Sequence, residues 1–112
     1  MSSASAERFA ADPAPVFAAL GDPTRLSLLR TLSGGGACSI ARLSAHSELT
    51  RQAVTKHLHV LEKAGLVACI RVGRESRFAF TPEPLGQAQA YLEAVSAQWD
   101  DALSRLRSFV ED

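Results

Sequence analysis

The sequence predicts a small, mainly α-helical domain closed by one β-hairpin. Three observations carry that prediction. Apolar residues recur in steps of three and four along most of the chain, as on one face of a helix. Between Leu66 and Phe80 the pattern changes to β-branched and alternating residues, as in a hairpin. Asp-Pro, Thr and Pro starts and Gly stops divide the helical part into five segments.

A chain of 112 residues makes one domain, here read as 12–112 behind a flexible tail at 1–11. Net charge is zero, so global attraction to nucleic acid or to a membrane does not follow from it. The distribution says more. Residues 42–77 carry seven Lys/Arg against three Asp/Glu, whereas 81–112 carry two against six, so the basic part is the middle. Two cysteines are too few for a disulfide scaffold. No apolar run of about 18 residues exists, and the N-terminus lacks a basic segment followed by an apolar one. These features predict a reduced, cytoplasmic protein without a membrane partner.

Asp12-Pro13 starts a first helix, with Pro13 at its first position, that Gly21 ends after Val16, Phe17 and Leu20. Asp22-Pro23 repeats the start signal, and Leu26, Leu29 and Leu32 then share a helical face. Gly34-Gly35-Gly36 breaks the chain. No Lys-Ser/Thr follows, so it is not read as a phosphate cradle. Cys38-Ser39-Ile40 is a short extended piece leading into a third helix, to about His46, with Ile40 and Leu43 inward.

The fourth segment, from Thr50 to Gly65, carries the function. The Thr50 hydroxyl can cap the helix start, and Gly65 can enter the left-handed region at its end. Val54, Leu58 and Leu61 fall at i, i+4 and i+7 and face a core. The other positions include Arg51, Gln52, Thr55, Lys56, His59 and Lys63, rich in donors and short of carboxylates. That combination suits a helix lying in a DNA major groove. Gln pairs with adenine edges, Arg with guanine, and Thr with a base edge or the thymine methyl. Ser47-Glu48-Leu49 joins this helix tightly to the third, which makes a helix-turn-helix.

The hairpin follows directly, with Gly73-Arg74-Glu75 as its turn and Arg71, Arg74 and Arg77 on or near its tip. A hairpin so placed is a wing. Thr81-Pro82 then opens a last helix, about 82–110. Its stripe runs through Leu85, Ala88, Leu92, Val95, Trp99, Leu103, Leu106 and Phe109. So long a stripe exceeds what one small domain covers, and predicts a partner surface.

This order of elements, together with Ala19-Leu20-Gly21-Asp22-Pro23-Thr24-Arg25-Leu26 and the run Gln52 to Val67, resembles the ArsR/SmtB family of bacterial winged helix-turn-helix repressors. The resemblance covers about 15–110. It implies a homodimer built on the first and last helices, with Val16, Phe17, Leu92, Val95, Trp99, Leu103 and Leu106 at the interface. It also implies double-stranded DNA as the partner, with a recognition helix in each of two major grooves and wings on the backbone or minor groove. Arg51, Gln52, Thr55 and His59 are then the candidates for base contacts, beside the capping Thr50. Lys56, Lys63, Arg71, Arg74 and Arg77 are the candidates for phosphate or minor groove.

The family's metal sites are not matched. One uses paired cysteines on the third helix, where this chain has Cys38 about one residue out of register and Ser39 and Ala41 at the thiolate positions. Another uses Asp and His on the last helix, which here has neither His nor Cys. Neither a metal nor a cofactor is therefore expected, and no effector can be named. His57 and His59, two apart on a helix, diverge; His57 and His46 are expected at the flank. Asp100 and Asp101 are adjacent on a helix and also diverge, and no nucleophile elbow occurs, so an enzyme is not expected. Two alternatives remain open at this point. One is a winged-helix interaction module without DNA. The other is a repressor switched by thiol oxidation of Cys38 and Cys69, weighed against their being two small buried hydrophobes.

Overall fold

The computed structural model describes residues 12–111; the expected tail at 1–11 lies outside them, as does Asp112. The elements are α1 (Ala14–Leu20), α2 (Pro23–Gly35), β1 (Cys38–Ser39), α3 (Ile40–Ala45), α4 (Arg51–Lys63), β2 (Val67–Val72), β3 (Glu75–Phe80) and α5 (Glu83–Glu111). Among the described residues, five helices thus accompany a three-stranded antiparallel sheet of order β1-β3-β2. The extended piece before α3 is a third strand of the wing, pairing Cys38 with Phe78 and Ser39 with Arg77.

Local chemistry explains the helix ends. Asp12 Oδ1 accepts from the Ala14 N–H at 3.0 Å. Pro13 takes the position before the helix rather than its first residue. Asp22 caps α2 by accepting from the Arg25 N–H at 3.0 Å, with Pro23 as first helical residue. The glycine run ends α2 later than expected. Gly34 and Gly35 stay helical, and Gly36, at φ 82°, makes the break. The buried face of α2 is also rotated from expectation. Leu28, Leu29 and Leu32 enter the core while Leu26 is 41% exposed. At about 100° per residue, Leu28 and Leu29 straddle the direction of Leu32, and Leu26 lies beyond the arc.

Ser39 ends β1 and caps α3, accepting from the Arg42 N–H at 3.1 Å. The connection into α4 is held by side chains. Ser44 Oγ donates to the Leu49 carbonyl at 2.8 Å, and Ser47 Oγ accepts from the Leu49 N–H at 3.2 Å. Thr50 Oγ1 then accepts from the Ala53 N–H at 3.0 Å. At the other end Gly65, φ 78°, donates to the Glu62 carbonyl and Leu66 to the Leu61 carbonyl, both at 2.9 Å. This is the Schellman pairing, and Leu61 and Leu66 supply its hydrophobic contact, both fully buried.

The wing turn is tighter than expected. Val72 pairs with Glu75, so only Gly73 and Arg74 are unpaired. Gly73 has φ 64° at the first central position, where a two-residue hairpin loop favours glycine. The core gathers Val16, Ala19, Leu28, Leu29, Leu32 and Leu43 around Val54, Leu58 and Leu61, which have no exposure at all. Val67 and Phe78 close it from the sheet, Leu66 from just past the end of α4, and Ala88 from α5.

Helix α5 is 29 residues long, so it extends about 43 Å. Among its described residues only Ala88 is buried. The molecule measures 67 × 39 × 20 Å, and no helix among the described residues is long and apolar enough to cross a membrane.

Candidate DNA interface

Helix α4 is positioned from beneath by Val54, Leu58 and Leu61 and fixed at both ends by its caps. At about 100° per residue, Gln52, Lys56, His59 and Lys63 fall within roughly 60° of one another, opposite that buried stripe. All four are exposed. Thr50, Gln52, Ala53, Thr55, Lys56 and His59 line one shallow groove along this face. Arg51 is exposed but lies about 100° round the helix from Gln52, nearer Glu62 than the groove. The Thr55 hydroxyl donates to the Arg51 carbonyl at 2.7 Å, which leaves its lone pairs and methyl for a partner.

The three wing arginines separate. Arg74 sits in the turn and Arg71 opposite Ser76, both exposed. Arg77 is not at the tip. It lies in the central strand, between Ile70 of β2 and Ser39 of β1, and its Nε donates to Glu75 Oε1 at 2.8 Å. That carboxylate balances its charge, so of the three Arg77 is the one already spoken for.

The residues placed at a dimer interface separate as well. Val16 is 8% exposed and belongs to the subunit's own core, so that assignment is corrected. It is on the side of α1 that the subunit itself covers. Phe17 is half-buried against Tyr91 of α5, with ring centroids 6.0 Å apart and planes at 56°. Leu92, Trp99, Leu103 and Leu106 are exposed along α5, Trp99 by 65%. Val95 is half-buried. Phe109, the last residue of the stripe, is exposed on the same helix, as are Tyr91 and Val110, which the stripe did not include.

Cys38 and Cys69 both lie opposite Phe78, one on each side of it. Two strand spacings put their Cα atoms roughly 10 Å apart, and a disulfide needs about 7 Å or less. The pair therefore cannot be a thiol switch within one subunit, and the expected alternative is withdrawn. Cys69 is exposed rather than buried. Among the described residues no three His, Cys, Asp or Glu side chains cluster as a metal site would require.

His59 is exposed in the α4 groove, and His46 is the exposed residue ending α3. His57 has a neighbourhood that sequence reasoning missed. Its Nδ1 lies 3.4 Å from Arg25 Nη1 and 4.0 Å from Asp22 Oδ2. Asp22-Pro23-Thr24-Arg25 was legible as a motif, but 32 residues separate Arg25 from His57, and no local pattern joins them. The Arg25 backbone N–H, and after it the Arg25 guanidinium, hold the Asp22 carboxyl below its ordinary value of 3.8 against a desolvation that raises it.

Residues 20–70 match the family described as a helix-turn-helix domain. An uncharacterized HTH-type transcriptional regulator of Bacillus subtilis, YuzN, is 41% identical over 76 residues, 62% of this chain and 83% of that protein. The HTH-type transcriptional regulator CmtR of Mycobacterium tuberculosis is 40% identical over 77 residues, 69% of this chain, which spans 64% of that protein's length. The NMR structure of that protein, described as a cadmium metal-sensor, superposes with a TM-score of 0.54. The structure of an ArsR-like transcriptional regulator from Rhodococcus sp. RHA1 superposes with a TM-score of 0.79 at 37% identity, covering 87% of this chain and 91% of that one. A capped, donor-faced second helix, a three-stranded wing and relatives matched over most of their length agree: the chain belongs to the ArsR/SmtB family of DNA-binding, winged helix-turn-helix transcriptional regulators.

Proposed function

We propose that the protein is a homodimeric repressor of an inverted-repeat operator, without catalytic activity. Helix α4 reads bases through Gln52, Thr55 and His59, with Arg51 reaching from its edge. Lys56, Lys63, Arg71 and Arg74 hold phosphates or the minor groove, and Arg77 contributes less. The stripe on α5 pairs with a second copy. The observation that carries this reading is the division of α4, with three core residues fully buried and a groove lined by Gln52, Thr55, Lys56 and His59 on the opposite side. A carboxylate-poor face of that kind suits base edges and phosphates. Cadmium sensing, described for the mycobacterial relative, is not part of the proposal: the two thiols of one subunit stand on either side of Phe78, too far apart for one ion.

The test starts from duplexes that the wild-type protein selects out of a random pool. Gln52→Ala is expected to cost about 1–3 kcal/mol on a selected duplex and to relax preference at one base pair. Equal losses on selected and scrambled duplexes would make Gln52 a phosphate-side residue only.

For the wing, Arg74→Ala is expected to weaken binding to all duplexes alike. The dependence of log affinity on log salt should become shallower by about one unit for the lost phosphate contact. Arg77→Ala should change that slope less, because Glu75 already holds its guanidinium. Equal slopes for wild type and Arg74→Ala would take the wing tip off the DNA.

A further inference from the structure

Arg25 spends one guanidinium on three helices. From the first turn of α2, its Nε donates to the Ala19 carbonyl at 2.7 Å and its Nη2 to the Ala18 carbonyl at 3.2 Å. These carbonyls lie in the last turn of α1, where the dipole favours a cation; the Ala18 carbonyl also accepts from the Gly21 N–H at 3.1 Å. The remaining arm, Nη1, reaches His57 Nδ1 at 3.4 Å, in the middle of the recognition helix. Asp22 completes the joint, accepting from the Arg25 N–H and lying 4.0 Å from the same imidazole nitrogen. A planar fork with donors in fixed directions can do this; a lysine ammonium can reach one of these acceptors but does not fix their mutual geometry.

The neighbours of the joint give it a further role. Helix α1 lies against α5 through Phe17 and Tyr91, next to the exposed stripe. His57 stands on α4 between the buried stripe and the groove, half-buried. We propose that Arg25 is a positioning residue for DNA recognition: through His57 it fixes the rotation of α4 relative to α1 and α5, and so the distance between the two recognition helices of a dimer. This rests on the dimeric reading above. Arg25 and His57 need touch no DNA for the effect.

The experiment measures binding to a set of duplexes in which the selected half-sites stand at the selected spacing or one or two base pairs closer or farther. One base pair changes separation by about 3.4 Å and also rotates one half-site around the duplex. Wild type, Arg25→Lys, His57→Leu and His57→Asn are compared, each with its melting temperature. In His57→Asn the side-chain oxygen stands near the Nδ1 position and can accept from Arg25. Wild type should favour the selected spacing at least tenfold. His57→Leu and Arg25→Lys should bring that ratio close to one, and His57→Asn should restore it.

A merely structural role would lower affinity at every spacing alike, leave the ratio unchanged and overturn the proposal. So would His57→Asn behaving as His57→Leu does. Should Arg25→Lys fail to fold, the two His57 variants decide alone, since that side chain is partly exposed and outside the core. A wild-type protein that binds one half-site as tightly as two overturns the dimeric reading, and this proposal with it. A spacing-selective wild type with unchanged variant ratios overturns this proposal alone.

Discussion

Leu103→Glu is expected to abolish specific DNA binding without touching the recognition helix. Leu103 is 55% exposed in the single subunit, between Trp99 and Leu106 on the part of α5 that projects beyond the core. Each large apolar side chain fully buried by a second copy contributes about 1.5–3 kcal/mol, so a stripe of five or six offsets the entropy lost on association. A carboxylate placed in that seam must either be stripped of water without a partner or keep the seam open. The subunit fold should survive, because Leu103 lies outside the buried cluster. Circular dichroism should therefore be unchanged while sedimentation shows a monomer. Each monomer has few base contacts of its own, so affinity for the selected duplex should fall to the nonspecific level. A folded monomer that still binds that duplex at full affinity would show that α5 does not organise the DNA-binding species.

Leu58→Ala is expected to cost about 2–5 kcal/mol of stability. Leu58 has no exposure and lies in the middle of α4, among the residues that join that helix to the rest of the core. Removing its branched end leaves a cavity that the capped, sheet-bounded site cannot close. Domains of this size have only about 5–15 kcal/mol of net stability. Chemical denaturation should show a lower midpoint with an unchanged slope. At temperatures where the variant remains folded, operator affinity should fall by much less than in Leu103→Glu, since the donors on the outer face are retained. A loss under about 1 kcal/mol would mean that the site repacks.

The features that were legible in the sequence are those set by neighbours within a few turns. The Thr50 cap, the Gly65 stop and the triplet Val54, Leu58 and Leu61 all follow from spacing within one helix. The wing followed from a change of period. What escaped was decided by tertiary geometry. Leu26 and Leu28 are equally apolar, and only the packing of α2 against α1, α4 and the sheet selects Leu28 for the core. Val16 and Phe17 are adjacent, and the subunit's own core claims the first while Tyr91 claims the second. Spacing alone puts Arg77 on or near the tip, and only the strand register shows it one rung further from the turn than Arg71, between two neighbouring strands. The separation of Cys38 from Cys69 depends on which strand lies between them. The Arg25–His57 contact spans too much sequence for any periodic pattern.

The exposed stripe of α5 also bears on dose. On the proposed dimer, a subunit below the dissociation constant of its own pair is mostly without a partner. Operator occupancy then rises with the square of subunit concentration rather than in proportion to it. A twofold change in synthesis would change occupancy nearly fourfold at the low end of the curve. The Trp99 and Leu103 surface would in that way set the sharpness of the genetic response, a property that affinity of α4 for its bases cannot supply.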